Sequence, residues 1–73
     1  MGLQKRSMTI AGHRTSLALE PEFWDVLEEC AKTRGLSLPK LIESIDEARA
    51  ASHPDRALAS AARVHALHYA RGK

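Results

Sequence analysis

Between Arg14 and Leu19 polar and apolar positions alternate, with Thr15, Leu17 and Leu19 on one side and Arg14, Ser16 and Ala18 on the other. A period of two is the signature of a half-buried strand, one face towards a core and one towards water. Pro21 then stands where a first helical residue belongs, with Glu22 beside it suited to the positive helix end. From there apolar residues recur at three and four positions: Phe23, Val26 or Leu27, Cys30 or Ala31. This predicts a helix over about Pro21 to Arg34, closed by Gly35 and the apolar Leu36 as a left-handed stop. Ser37 is the next N-cap, Leu36 can staple against Leu41, and Pro39 is tolerated in the first turn. The stripe Leu38, Leu41, Ile42, Ile45 and Ala48 carries that second helix to about Ala51. Ser52, with Asp55 three residues on and Pro54 between them, approximates a capping box and predicts a third helix to about Tyr69. Its stripe of Ala57, Ala61, Val64 and Leu67 suits close packing on a neighbouring helix.

Upstream, Met1 to Lys5 shows no periodicity and reads as a mobile arm. Ser7 to Ile10 is a weaker strand candidate whose apolar Met8 and Ile10 fall at even positions, out of phase with Leu17 and Leu19. Gly12 supplies the freedom for the slip, and the pattern leaves a bulge and a hairpin both open. With no second strand of equal quality downstream, Arg14 to Leu19 is expected to find its partner in another copy of the chain.

Seventy-three residues make one domain with a modest core. A single Cys excludes an internal disulfide, and neither a membrane-length apolar run nor a signal-peptide pattern is present, which sets the expectation of a soluble cytoplasmic protein without membrane contact. Charge is segregated. The chain up to Leu19 carries +3, Glu20 to Ala51 carries −4, and Ser52 onward carries +3. A basic strand region beside an acidic helical middle suggests one surface for a polyanion and another for water.

The candidate chemistry is thin. Trp24 beside Phe23 reads as a core or dimer anchor rather than a stacking platform for bases. Cys30 has no local Cys or His at ligand spacing and reads as a small buried hydrophobe. His65 and His68 share a helix face but lack a third ligand, so no metal is assigned and both read as surface residues. Glu28 and Glu29 are adjacent and face different directions. No nucleophile is paired with a base, so neither catalytic residues nor a cofactor are expected.

One strand, a helix, a Gly-Leu-Ser turn and a second helix resemble the ribbon-helix-helix (Arc/MetJ/CopG-type) domains over about Arg14 to Arg49. The longer string Lys5 to Arg49 is similar to a subgroup with a GHRTS segment, a Glu-x-x-Phe-Trp helix start and a Ser/Ala-rich C-terminal helix. The fold this implies is mostly α: a ribbon-helix-helix domain over residues 7–51, with a basic arm at 1–6 and an added C-terminal helix over 52–73. It further implies a homodimer in which one strand from each copy pairs antiparallel and enters the DNA major groove. Leu17, Leu19, Phe23, Trp24, Leu27, Leu41, Ile42 and Ile45 would form the dimer core.

Carried onto this chain, Arg14, Ser16 and Ala18 would read bases, Arg14 through two hydrogen bonds to guanine and Ala18 through a methyl contact only. Ser37 and Lys40 would clamp phosphate at a helix N-terminus, where Pro39 lacks one N–H donor, and Lys5 and Arg6 would add backbone or minor-groove contacts from the arm. The expected function is therefore sequence-specific binding of duplex DNA by a small transcriptional regulator, cytoplasmic and nucleoid-associated. The alternative, which Ala18 and Pro39 favour, is a dimeric protein-interaction module, antitoxin-like or an adaptor, whose C-terminal helix docks a protein partner. Arg14 would then be an exposed charge that blunts a sheet edge. An enzyme is the least favoured class.

Overall fold

The computed structural model describes residues 2–72, so the first residue of the expected arm and the last residue of the C-terminal segment lie outside the described residues. In chain order the elements are β1 (Gln4–Ile10), β2 (His13–Leu19), α1 (Pro21–Arg34), α2 (Leu38–Ser52) and α3 (Leu58–Ala70). The mostly helical class with a third helix is as expected; what differs is where the ribbon comes from. β1 pairs antiparallel with β2 within one chain, from Gln4 opposite Leu19 to Ile10 opposite His13. Arg14 to Leu19, for which no partner strand was expected within the chain, thus finds one in β1, and each strand of this two-stranded sheet keeps one edge without a ladder partner among the described residues.

The phase slip between Met8/Ile10 and Leu17/Leu19 follows from this geometry. With a two-residue loop, Ala11-Gly12, every even position of β1 lies opposite an odd position of β2. Side chains directly opposite share a face, so Met8, Ile10, Leu17 and Leu19 all point inward and all are buried. Ala11 and Gly12 have φ of 51° and 82°, the two positive values that a type I′ turn requires to match the strand twist. The strand also starts earlier than expected: Gln4 to Arg6, read as arm, are paired with Leu17 to Leu19.

Helix α1 begins with Pro21 and ends at Gly35, whose φ is 70°. Leu36 N–H donates to the Ala31 carbonyl at 2.8 Å and Gly35 N–H to the Lys32 carbonyl at 3.1 Å. This is the Schellman pattern that turns the chain directly into α2. Ser37 caps α2, its Oγ accepting from the Lys40 N–H at 3.3 Å.

The start of the third helix is corrected. Ser52 ends α2 instead of capping α3, and α3 begins at Leu58 after Ala57, without a side-chain cap. The cause is Arg49. Its guanidinium holds Asp46 at 3.0 Å and reaches the carbonyls of Pro54 at 3.3 Å and Arg56 at 3.0 Å, so the intervening segment is fixed as a turn. His53, which precedes the proline, leaves the helical region at φ −141°. The buried stripe of α3 is accordingly rotated: Ala61, Ala62 and Ala66 are buried, with Leu58 and Tyr69 partly so. Ala57 and Leu67 of the expected stripe face solvent. These small residues let α3 pack against both α1 and α2 and reach β2.

Trp24, Leu19, Leu27, Leu41 and Ile42 are fully enclosed within the single chain, and Leu17 and Ile45 nearly so. Phe23 is only partly buried at the core margin. Of the eight residues expected in a dimer core, all but Phe23 are thus buried within one chain. Trp24 satisfies its buried ring N–H by donating from Nε1 to the Gln4 carbonyl at 2.7 Å, which ties the first residue of β1 to α1.

Ala11 is the one non-glycine residue at positive φ among the described residues. Asn tolerates this conformation better, so Ala11→Asn should stabilise the fold by about 0.5 to 1 kcal/mol. That corresponds to a rise of a few degrees in Tm for a domain of about this size, read by circular dichroism. An unchanged or lower Tm would show that the turn does not limit hairpin stability.

Candidate nucleic-acid interface

Because the hairpin segregates its faces, whatever is not core is presented together. The outer face of β1 carries Lys5, Ser7 and Thr9, and they lie opposite Ala18, Ser16 and Arg14 of β2. Lys5, Ser7, Thr9, Arg14 and Ser16 are exposed and Ala18 is half-buried, so no helix covers this surface. Ser7 Oγ and Ser16 Oγ stand 3.1 Å apart in a cross-strand hydrogen bond that joins the two rows at their centre. The result is a two-stranded strip with a cation near each end, three hydroxyls between them and no carboxylate in either row. The nearest acid at the turn, Asp46, lines a shallow depression with Arg14, but its carboxylate is held by Arg49 at 3.0 Å.

The sequence-predicted base-reading set, Arg14, Ser16 and Ala18, is brought together on one edge of this strip. Ser7 and Thr9 share the same exposed face, a placement that sequence reasoning missed. The signal was present: if Met8 and Ile10 face the core, Ser7 and Thr9 must face away.

The phosphate set is scattered. Lys5 belongs to the outer face, but Arg6 points inward, ion-paired with Glu28 and stacked with its guanidinium carbon 4.7 Å from the Trp24 ring centroid. Arg6 is thereby committed to holding the ribbon on α1. Lys40 is exposed at the start of α2, with Glu43 at 3.7 Å. Ser37 Oγ already accepts the Lys40 N–H and Pro39 has none, which leaves the Leu38 N–H as the first-turn donor without a partner among the described residues. An anion at this helix end would meet fewer N–H groups than usual.

The model of the ribbon-helix-helix domain family matches residues 3–70. The chain belongs to that family. The match takes in both strands and α3 up to its last residue, so the intrachain ribbon and the third helix lie within the extent of the domain. Ribbon-helix-helix domains are commonly DNA-binding transcription regulators or antitoxins, a regulatory fold. No curated protein and no solved structure matches the chain.

Two further contacts integrate α3 with this ribbon-helix-helix core. Arg63 pairs with Glu20, Nε to Oε1 at 3.0 Å, and lies 5.8 Å from the Phe23 ring centroid, so it ties α3 to the junction of β2 and α1. This hydrogen bond from Arg63 holds the Glu20 carboxyl below its ordinary value. On the other side, Cys30 is buried as expected, but its Sγ lies 3.6 Å from Nε2 of His65. His65 is therefore a helix-packing residue and not the surface residue its spacing suggested, a contact invisible to local spacing because it joins α1 to α3. Among the described residues no group of three or more His, Cys, Asp or Glu side chains is gathered for a metal. Nor is any helix among the described residues long and apolar enough to cross a membrane.

Burial, followed by the nearby Arg34 and His68, lowers the pKa of His65 from its ordinary 6.5. In the window between the lowered folded value and the ordinary unfolded value of 6.5, the unfolded chain binds more protons than the folded one. His65 therefore makes stability fall as pH drops through that window and leaves it unaffected above it. The urea midpoint of the wild type should decline more steeply below pH 6.5 than that of His65→Gln, which cannot take up a proton. Parallel pH profiles would remove His65 from the titration.

Proposed function

We propose that this protein binds duplex DNA as a sequence-specific transcriptional regulator, inserting the hairpin ribbon of one chain into the major groove. The observation that carries the reading is the outer face of β1 and β2: exposed, uncovered by helices, cationic and hydroxyl-bearing, with no acid in its rows. Seven residues per strand give a ribbon about 23 Å long, and two strands about 5 Å apart enter a groove roughly 12 Å wide. Arg14 donates two hydrogen bonds to guanine; Ser7, Thr9 and Ser16 serve several bases; Ala18 touches a thymine methyl. Lys5 approaches phosphate from the ribbon itself, and Lys40 from the start of α2. The inward Arg6 is not assigned a phosphate, and Ser37 acts as the cap that orients Lys40.

Two copies act together in this reading. One bidentate arginine supplies about 1 to 3 kcal/mol of discrimination, short of the roughly 4 to 10 kcal/mol that separates specific from non-specific binding. Two ribbons on two half-sites bring the total into that range. The homodimer thus serves recognition, while each chain folds around its own core.

Arg14→Ala should weaken binding to a site selected from a random duplex pool by about 1 to 3 kcal/mol and flatten one base pair per half-site. Lys5→Ala and Lys40→Ala should instead lower affinity for all sequences and reduce the salt slope by about one unit for each phosphate no longer neutralised. Fluorescence anisotropy at two salt concentrations separates these outcomes. A pool that enriches nothing, with no binding even at low salt, would move the assignment to a protein-interaction module, antitoxin-like, for which the depleted N-terminus of α2 and the half-exposed Leu67 on α3 speak.

Sedimentation of the free protein and of its complex tests the second element of the proposal. Two chains per selected duplex are expected, together with a Tm that depends only weakly on protein concentration. One chain per specific duplex would exclude the paired-copy reading.

A further inference from the structure

On the side where α2 and α3 diverge from the Arg49-held turn, an open cleft of about 250 Å³ lies between the two helices. Its apolar lining is made by the buried Ile45 and Ala61, the half-buried Val64 and, at the exposed edge of α2, Ala48. Its rim is nitrogen-rich, with Arg49, Arg56, His53, His65 and His68, and no carboxylate contributes to the lining. The two arginines are not equivalent. Arg49 is committed to Asp46 and to the carbonyls of Pro54 and Arg56. The guanidinium of Arg56 makes no hydrogen bond or ion pair among the described residues.

We propose that this cleft is a binding site for a small amphipathic carboxylate, a monocyclic aromatic or short branched acid. Three observations select that class. The volume lies just below the roughly 300 to 1,000 Å³ of sites for drug-sized ligands, which limits the occupant to about a single ring. The apolar lining has nothing to offer a fully hydrated anion such as phosphate, but it can bury a ring or a branched chain. One uncommitted guanidinium matches one carboxylate, in the fork geometry that arginine and carboxylate share. The hydroxyl of Ser52 and the rings of His53 and His68 stand around the mouth as further polar partners. The ligand would contact α2 and α3 together, across the turn that Arg49 fixes.

Benzoate is the probe, with benzyl alcohol and inorganic phosphate as comparators, each titrated into the full chain and followed by two-dimensional NMR. Benzoate should shift the resonances of Ala48, Arg56, Ala61 and His68 saturably, with a Kd on the order of 1 mM, as suits a nine-atom fragment. Benzyl alcohol, which keeps the ring, and phosphate, which keeps the charge, should each bind at least about tenfold more weakly. Arg56→Gln should weaken benzoate about tenfold with the rest of the spectrum unchanged, since its guanidinium has no structural partner to lose. Ala48→Leu, which narrows the cleft from its exposed α2 edge and leaves the rim charge intact, should weaken benzoate as well. The proposal is overturned if benzoate produces no saturable shift, if both variants bind it like the wild type, or if phosphate binds the cleft as well as benzoate does.

Discussion

Everything in this molecule depends on the register set by the Ala11-Gly12 turn. With two residues in the loop, even positions of β1 lie opposite odd positions of β2, and the four apolar strand residues fall on one face. Moving either strand by a single residue would turn Met8 and Ile10 towards solvent and drive Ser7 and Thr9 into the core. The same register that closes the core also assembles the outer strip of Lys5, Ser7, Thr9, Arg14, Ser16 and Ala18. Core and candidate interface are thus two sides of one register, and a slip of that register would undo both.

A two-stranded hairpin is marginal alone, and the helices supply what it lacks. Trp24 reaches the Gln4 carbonyl with its ring N–H, while Arg6 lies over the Trp24 ring and pairs with Glu28. One tryptophan therefore secures the open end of the ribbon through its edge and its face. The third helix secures the other elements: Arg63 binds Glu20 at the strand-to-helix junction, and Ala61, Ala62 and Ala66 allow close approach to α1 and α2. A ribbon held in this way keeps its outer face turned away from the helices. It also means that α3 is part of the domain's packing, while Ser60, Leu67, His68 and Ala70 stay towards solvent.

The distribution of cations follows the same logic. Of the basic residues before α1, Arg6 is committed to packing, while Lys5 and Arg14 stay on the outer face. In the second half of the chain Arg49 and Arg63 hold a turn and a junction, and Arg56 is left at the mouth of the α2–α3 cleft. Net charge by segment could not make these distinctions, because an arginine that braces a fold and one that meets a ligand count alike until their partners are known.

What the sequence by itself determined was everything governed by local periodicity and end chemistry. The alternation of Arg14 to Leu19, Pro21 at the start of α1, Gly35 as its left-handed stop and Ser37 as the cap of α2 are each fixed by residues within one turn of the feature they set. The outward placement of Arg14, Ser16 and Ala18 follows from the same alternation. The tertiary structure alone decided the features that join distant residues. A weak strand candidate became β1 because its polar start could pair with Leu17 to Leu19 and rest on Trp24, a gain that no window around Gln4 contains. The capping pattern at Ser52 lost to a turn because Arg49 offered the carbonyls of that turn a better partner. Cys30 and His65, ordinary in their own segments, meet because α1 and α3 pack together. Local patterns state what a segment can become, and long-range contacts choose among those states when their free energies are close.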